Sequence, residues 1–312
     1  MAYEPRPPIP SDIKRKVRQR GGFGCVICGR PLYQYDHLVP WSEVEEHEPD
    51  NLILLCDQHH REKTSGLLPI EQVIEANEAP ANLATGVSSP YDLHYGGQGC
   101  EALIGSNVHT WPEMHDGLMT VPVLIDDTPI VMFRVEDGHL LLTVQLFDED
   151  NELLVQVVDN ELVFSTEEWD VEFVGRQLTV RSAPRKIFVG MTFEPPSCIV
   201  IDRGRIWRNG IEIRIQPACI TVGQGNTMSG CHATNCFFGL ATGDLPQGLG
   251  GGAFYIGSPR SDFPIASTED RVMRIGVPHD QGPSEDGEQL MKDFTDFLDN
   301  VNPNDFLSGD SD

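Results

Sequence analysis

The chain has 312 residues, with 22 Lys and Arg against 48 Asp and Glu, so its formal net charge at pH 7 is −26. So acidic a chain cannot wrap a polyanion over its whole surface. The eight cysteines include only one group with matched short spacings, which does not suggest a disulfide framework. We find no signal peptide or long apolar segment, and therefore expect a cytoplasmic protein with no membrane partner.

The basic residues are concentrated at the N-terminus. Residues 1–35 hold seven Lys and Arg against two acidic residues, a local charge of +5. The segment Ser11–Arg18 has the pattern of a helix capped near Ser11. Such a helix could contact phosphates without reading base edges, or it could be a basic surface helix with no nucleic-acid role. The candidate phosphate contacts are Lys14, Arg15, Lys16, Arg18 and Arg20.

Two pairs of metal-binding residues follow, each with a two-residue gap. The first pair is Cys25 and Cys28, and the second is Cys56 and His59. Thiolate and imidazole ligands at paired short spacings suit a closed tetrahedral Zn²⁺ site. The alternative is that these cysteines are small buried hydrophobes or form a disulfide. A structural zinc would tie together a segment too small to bury a core, so chelation should unfold it.

Five polar residues in the same segment are not needed for that zinc. Asp36 and His37 lie in a stretch that reads as a β-hairpin, and Asn51 begins an apolar run that leads to a short helix at about 57–65. His60 and Lys63 would lie on that helix. Two β segments followed by a helix, with ligands on both, predict a ββα-metal arrangement.

With these residues in place, the segment from about 18 to 68 resembles the HNH (His-Me finger) nucleases, in the subfamily that carries a structural zinc. The resemblance implies that His37 is the general base that activates water against a phosphodiester. It also implies that Asp36 and His60 hold one catalytic divalent metal, Mg²⁺ or Mn²⁺, and that Asn51 braces the loop and orients the base.

One feature departs from the commonest family pattern. Many zinc-bearing relatives end in CxxC, whereas this chain has His59 in the place of the last cysteine, so His59 and His60 could exchange roles. We favour His59 on zinc because it holds the position of the usual fourth thiolate. Lys63, about one helical turn after His60, could approach a backbone phosphate or simply be solvated.

The rest of the chain has a different character. Residues 71–312 carry 13 basic and 38 acidic residues, which excludes a broad DNA-binding groove there. Residues 71–118 have weak periodicity and are predicted to be a linker with short irregular pieces. Residues 119–280 contain eleven short runs of β character between 121 and 215, which favours a parallel β-solenoid, with a β-sandwich as the alternative.

The C-terminal region 281–312 has apolar residues at helical spacing within an acidic segment, followed by a polar tail. It predicts an amphipathic helix that packs on its own domain. The alternative is a helix that docks on a partner and competes with DNA for the basic surface.

Together these patterns predict an α+β protein in which residues 1–70 form a zinc-bound nuclease domain. We expect a metal-dependent endonuclease, acting on DNA, with an acidic β domain for regulation, targeting or homo-oligomerisation, as in nuclease effectors of bacterial anti-phage defence. The alternative is a non-catalytic, zinc-finger-like binding or assembly protein with a degenerate HNH module.

Overall fold

The computed structural model describes residues 6–245, 251–257 and 260. Its N-terminal part is small and combines helices with two strands. In chain order these elements are α1 (Ser11–Arg20), β1 (Gln34–His37), α2 (Trp41–Val44), a 3-10 helix (Pro49–Asn51), β2 (Leu52–Leu55), α3 (Asp57–Thr64), α4 (Ile70–Glu78) and α5 (Ala81–Thr85).

Helix α1 packs one apolar stripe against β2. Val17 is buried with Leu52 and Leu54, and Ile13 packs at the edge of this cluster. Ser11 was expected to cap the helix, but it is the first helical residue, and Pro10 occupies the cap position with no side-chain hydrogen bond. Proline lacks an N–H and has φ near the helical value, so it suits the start of a helix without a side-chain cap.

Strands β1 and β2 form a two-stranded antiparallel sheet, with Gln34 opposite Leu55 and His37 opposite Leu52. The predicted hairpin around Asp36 is wrong in its pairing, because β1 ends before Pro40 and pairs with β2 across the intervening loop. Proline cannot donate to a ladder, which favours the end of the strand there. All four β2 residues are buried, and α3 follows directly, so the ββα order is confirmed.

The remaining described residues are almost entirely β-structure. The strands are β3 (Tyr91–Asp92), β4 (Cys100–Ile104), β5 (Asn107–Trp111), β6 (Met119–Ile125), β7 (Thr128–Glu136), β8 (His139–Phe147), β9 (Leu153–Val158), β10 (Glu161–Phe164), β11 (Asp170–Val174), β12 (Gln177–Ala183), β13 (Lys186–Glu194), β14 (Cys198–Arg208), β15 (Ile211–Gln216), β16 (Cys219–Val222), β17 (Asn226–Met228), β18 (His232–Thr234), β19 (Phe238–Thr242) and β20 (Gly252–Ile256). A small helix-and-strand region therefore precedes a large all-β part, as the sequence predicts.

Most neighbouring strands in this part pair antiparallel. One meander runs from β6 to β10 and another from β11 to β17. Parallel pairing joins β4 to β14, β5 to β18 and β6 to β19, which are distant in sequence, and also joins β19 to β20. The choice between a solenoid and a sandwich stays a prediction.

Short turns with positive φ account for several of these hairpins. Asp159 and Asn160 both have positive φ between β9 and β10, and Asn209 and Gly210 do so between β14 and β15. Two successive residues with positive φ match the twist of antiparallel strands, and Asn, Asp and Gly reach that conformation with the least strain. The turn residues in the sequence thus determine where neighbouring strands reverse direction.

The segment 71–118 is not an irregular linker. It contains α4 and α5, and its strands β4 and β5 pair with each other and with the main β part. Alternate residues of β4 are buried, among them Cys100, Ala102 and Ile104. The Gly- and Ser-rich flanks conceal this short period-two pattern. The predicted domain boundaries themselves stay predictions.

A buried ion-pair network joins α1 to the β part. The Arg18 guanidinium donates through Nε and Nη2 to the two carboxylate oxygens of Asp170, each at 2.8 Å, and the Arg181 Nη1 lies 3.0 Å from Asp170 Oδ2. Arg18 also donates to the Tyr35 hydroxyl, one residue before Asp36. Arg18 is 3% exposed and Asp170 is 0% exposed. Because a buried charge is tolerated only with partners, this network holds the two parts in one arrangement.

His109 provides a pH-dependent contribution to the stability of the β part. Its side chain is buried on β5, its Nε2 lies 2.6 Å from Thr120 Oγ1, and its Nδ1 has no hydrogen-bond partner. Burial lowers the pKa of His109 to about 4, below the value of about 6.5 for an unfolded histidine. Above both pKa values the residue is neutral in both states. As the pH falls from about 6.5 towards 4, only the unfolded chain takes up the proton, so stability is lost.

We therefore expect His109→Gln to flatten the dependence of unfolding free energy on pH. Between about pH 7.5 and about pH 5, the wild type should lose about 2 kcal/mol more than the variant does. Urea unfolding followed by tryptophan fluorescence measures this difference. His139→Gln, at an exposed histidine of the β part, is the matched control and should behave as wild type. Equal losses in wild type and His109→Gln would contradict the assignment.

The predicted amphipathic helix in 281–312 lies outside the described residues. Within the described part of the chain, none of the helices has the length and apolar character needed to cross a membrane.

Candidate active site and zinc centre

Four potential metal ligands converge where the loop after α1 meets the start of α3. Their ligand atoms, from Cys25, Cys28, Cys56 and His59, all lie within 4.8 Å of one another. Backbone hydrogen bonds shape this knuckle: Gly29 N donates to Cys25 O, and Val26 N donates to Leu54 O in β2. These contacts place the first two cysteines beside the pair that begins α3.

The distances in this cluster fit a zinc ion. Cys28 Sγ and Cys56 Sγ are 3.8 Å apart, and His59 Nδ1 lies 3.3 Å from both Cys25 Sγ and Cys56 Sγ. Tetrahedral bonds of about 2.3 Å to sulfur and about 2.0 Å to nitrogen give edges of about 3.8 Å and about 3.5 Å. The three thiols and one imidazole therefore form a Cys3His site suited to Zn²⁺. His59 Nε2 is 4.0 Å from Glu62 Oε2, a carboxylate placed to orient the ring.

The pKa values of two thiols in the cluster are shifted in opposite directions. Hydrogen bonding with the Cys28 thiol lowers the pKa of Cys25 to about 4, and the same interaction, with burial, raises the pKa of Cys28. A thiolate is the form that binds a metal, so binding of Zn²⁺ would release the protons that the thiols of this cluster hold.

A second group of polar residues lies at the C-terminal end of β1, facing α3. His60 Nε2 is 3.7 Å from Asp36 Oδ1, and the Lys63 Nζ lies 2.8 Å from Asp36 Oδ2. Lys63 also donates to the backbone oxygen of His37, at 2.5 Å, while His37 N donates to Asp36 Oδ1 at 2.8 Å. Lys63 thus binds Asp36 and the backbone of His37, and its approach to a phosphate stays a prediction.

The pair Asp36 and His60 can hold a divalent ion. A carboxylate oxygen and an imidazole nitrogen 3.7 Å apart can share one ion with bonds of about 2.1 Å. His60 retains about a third of its side-chain exposure, at 36%, so water and a phosphate oxygen can reach the remaining coordination positions. One carboxylate oxygen and one imidazole nitrogen with open positions for water can hold a divalent ion.

Asn51 braces the loop after β1. Its Nδ2 donates to Val39 O at 3.1 Å, and its Oδ1 accepts from Val39 N at 2.7 Å. The backbone oxygen of Asn51 accepts a further hydrogen bond from Leu38 N. These contacts fix the exit of β1 directly after His37, in line with the brace that the family resemblance implies.

His37 is 5% exposed, and its ring lies against Trp41 and His47, with centroid distances of 5.7 and 5.5 Å. Burial lowers the pKa of His37, and the positive charge of Arg6 lowers it further. The imidazole is therefore neutral near pH 7 and has a lone pair that can accept a proton.

Three of the basic N-terminal residues that were predicted to contact phosphates instead contact other side chains or the backbone in the structure. Arg18 is buried in the network with Asp170, Arg15 stacks on Trp169 at 4.5 Å, and Arg20 binds Asp50 and the backbone of the loop before β2. These three arginines serve packing rather than an open phosphate-binding surface. Lys14, which lies 5.5 Å over the Tyr35 ring, and the exposed Lys16 remain candidates for phosphate contact.

Three residues beside His37 were not found from the sequence. The Arg6 Nη2 lies 2.8 Å from His37 Nδ1, and the Arg6 guanidinium lies 5.0 Å over the Trp41 ring. Trp41 and His47 pack together at 4.5 Å, and His47 Nε2 binds the backbone oxygen of Pro7. The only sequence signal was an arginine in a proline-rich stretch and two aromatic rings in the loop before Asn51.

Comparison with known proteins agrees with this geometry. Residues 25–66 match the HNH endonuclease family. A protein of Lactococcus phage SK1, described as a probable HNH endonuclease, is 39% identical over 62 residues. That similarity covers 17% of this chain, and the chain spans 66% of the phage protein, just under two thirds of its length. No solved structure matches the chain. Residues 25–66 therefore form a domain of the HNH endonuclease family.

Proposed function

We propose that this protein is a metal-dependent endonuclease that hydrolyses phosphodiester bonds, with DNA as its substrate. One observation carries the proposal. Asp36 and His60, which can share an ion, lie beside a neutral His37 at the end of β1, within the region that matches the HNH family. A degenerate structural finger would have no reason to keep a carboxylate and an imidazole at this spacing next to the Asp36–His37 step.

In the proposed reaction His37 accepts a proton from a water molecule as the water oxygen bonds to phosphorus and the bond to the leaving oxygen breaks. The leaving oxygen takes a proton from solvent water and His37 later returns its proton to solvent, so the products are a phosphate monoester and an alcohol. A divalent ion held by Asp36 and His60 would supply charge neutralisation at the phosphate and the leaving oxygen. Lys63 holds the Asp36 carboxylate in place through Oδ2 and leaves Oδ1 directed towards His60.

Charge supports a substrate that approaches the N-terminal part only. Residues 1–35 carry +5, whereas residues 71–312 hold 13 basic and 38 acidic residues. A polyanion would be repelled from the β part. Within residues 1–70 the positive charge is confined to residues 1–35, because residues 36–70 hold two basic and eight acidic residues. Lys14 and Lys16 are the proposed backbone contacts.

We further propose that the β part controls or places the nuclease in a reducing cytoplasm. The buried Arg18–Asp170 contact joins it to α1, and Arg18 in turn binds Tyr35 beside Asp36. One nuclease domain with one catalytic metal cuts one strand. Homo-oligomerisation through the β part would therefore bring two nuclease domains together for a double-strand break. Double-strand cleavage by paired nuclease domains would suit a protein of anti-phage defence.

The second candidate, a non-catalytic binding or assembly protein, is favoured only by the small share of the chain that matches a nuclease.

The test is cleavage by the purified full chain. Supercoiled plasmid, single-stranded DNA and RNA are each incubated with the protein and Mg²⁺ or Mn²⁺, or with neither ion. We expect plasmid nicking that needs the added ion and is faster than RNA cleavage. If no substrate is cut at any metal concentration, the endonuclease proposal fails and the assembly protein is favoured. Faster cleavage of RNA would overturn the choice of DNA.

A further inference from the structure

We propose that Arg6 binds the scissile phosphate and, when no substrate is present, covers the lone pair of His37. This inference rests on the proposed function and adds a substrate-binding residue to it. The Arg6 Nη2 lies 2.8 Å from Nδ1 and 3.2 Å from Nε2 of His37. Arg6 therefore occupies the space where a water molecule or a phosphate oxygen must lie for His37 to act.

Arg6 has no partner that would keep it there against a phosphate. Among the described residues, no carboxylate oxygen lies within 4.0 Å of its guanidinium, and the residue is exposed to solvent. Arg18 and Arg20 differ in this respect, because both are paired with carboxylates. In the part of the chain that the structure describes, the side-chain hydrogen-bond partner of the Arg6 guanidinium is thus the His37 ring and not a carboxylate.

The chain holds this arginine in place through an N-terminal arm, Arg6–Pro10. Three of its five residues are proline, which restricts φ and stiffens the arm. The arm is fixed at two points: Ile9 packs against the cluster around Val17, and Pro7 O accepts a hydrogen bond from His47 Nε2 at 2.8 Å. The Trp41 ring supports the guanidinium at 5.0 Å. Arg6 is thus preorganised, and only its side chain has to move.

Chemistry favours the transfer of Arg6 from His37 to a phosphate. A hydrogen bond from Arg6 to a ring nitrogen of His37 uses the lone pair that must accept a proton from water. A phosphodiester offers two charged oxygens, which the planar guanidinium binds more strongly and in two-pronged geometry. When a phosphate enters, Arg6 neutralises it and releases His37 in the same movement. The base is therefore free only while substrate is bound.

Cleavage by Arg6→Ala tests this inference. Initial rates are measured on plasmid DNA and on bis(p-nitrophenyl) phosphate, a small diester with no nucleobase. We expect kcat/KM to fall about 100-fold on both substrates, as for loss of a donor to a developing negative charge. Arg6→Lys should recover part of the lost activity because it keeps the positive charge but not the paired donors of the planar guanidinium. Arg176→Ala, at an exposed arginine of the β part, is the matched control and should cut as wild type.

A binding measurement separates failure of this inference from failure of the proposed function. In a His37→Ala background, Arg6→Ala should weaken binding of a short fluorescent DNA duplex about tenfold, whereas Arg176→Ala should not. If wild type never cuts but this loss of binding is seen, the nuclease proposal fails and the phosphate contact stands. If Arg6→Ala binds normally, or cuts at or above the wild-type rate, the assignment of Arg6 to the phosphate is overturned.

Discussion

Replacing His37 with Ala is expected to reduce plasmid cleavage about a thousand-fold, in the middle of the range for loss of a general base. The His37 ring accepts a hydrogen bond from Arg6, and the backbone N–H of His37 donates to Asp36. Without the ring, no side chain at that position can take the proton from the attacking water. The measurement is the rate of nicking at saturating Mg²⁺, with zinc content and thermal unfolding checked on the same preparations.

Two controls separate a lost base from a lost fold. His139→Ala removes an exposed histidine of the β part and should leave nicking unchanged. Added imidazole should restore part of the activity of His37→Ala, because a small base can enter the space left by the ring. A variant that folds, binds zinc and still cuts within a few-fold of the wild type would show that His37 is not the base.

Removal of the zinc is expected to unfold the N-terminal part while the β part stays folded. The ligands Cys25, Cys28, Cys56 and His59 join the knuckle to α3, and the apolar clusters around them contain only a few residues each. Structural zinc in segments of this size contributes about 10–16 kcal/mol of binding free energy, which no small core can replace. The β part has a large core that holds no zinc ligand, and Phe23 is the buried residue of the N-terminal part that joins this core.

Limited proteolysis with and without a strong chelator measures this directly. Chelated protein should be cut within 25–66 and should leave a resistant β fragment, and added Zn²⁺ should restore protection. Cys56→Ser should behave like chelated protein. Cys219→Ser, at a half-exposed cysteine outside the cluster, should behave like wild type. If residues 25–66 remain protected after the zinc is removed, the site is not structural.

Much of the candidate site could be predicted from the sequence because its residues are close together in the chain. A two-residue gap determines which ligands can meet on one ion, and α3 places His59 and His60 on different sides within one turn. The doubt about which histidine joins the zinc is resolved in the structure, where His59 meets the cysteines. The β character of residues 121–215 was also predicted from the sequence, because side-chain alternation is a local pattern.

The predictions from sequence differ from the structure where the partner of a residue or strand lies far away in the chain. Arg15, Arg18 and Arg20 looked like phosphate contacts because their partners Asp170 and Asp50 are far away in the chain. The segment 71–118 looked irregular because β4 obtains its second neighbour from β14, about a hundred residues later. Charge and pairing partners of this kind cannot be read from neighbouring residues.

By itself, the sequence determined the ligand spacing of the zinc cluster, the identity of the Asp36–His37 step, and the alternation of the β strands. These depend on the geometry of a few consecutive residues. Only the tertiary structure decided which charges remain free. The fold brings Arg6 to His37, which is 31 residues later in the sequence, and it buries Arg18 against Asp170, which is 152 residues later. A charge is free or paired according to what packs against it, so the residue proposed to meet the phosphate emerges only when the chain is folded.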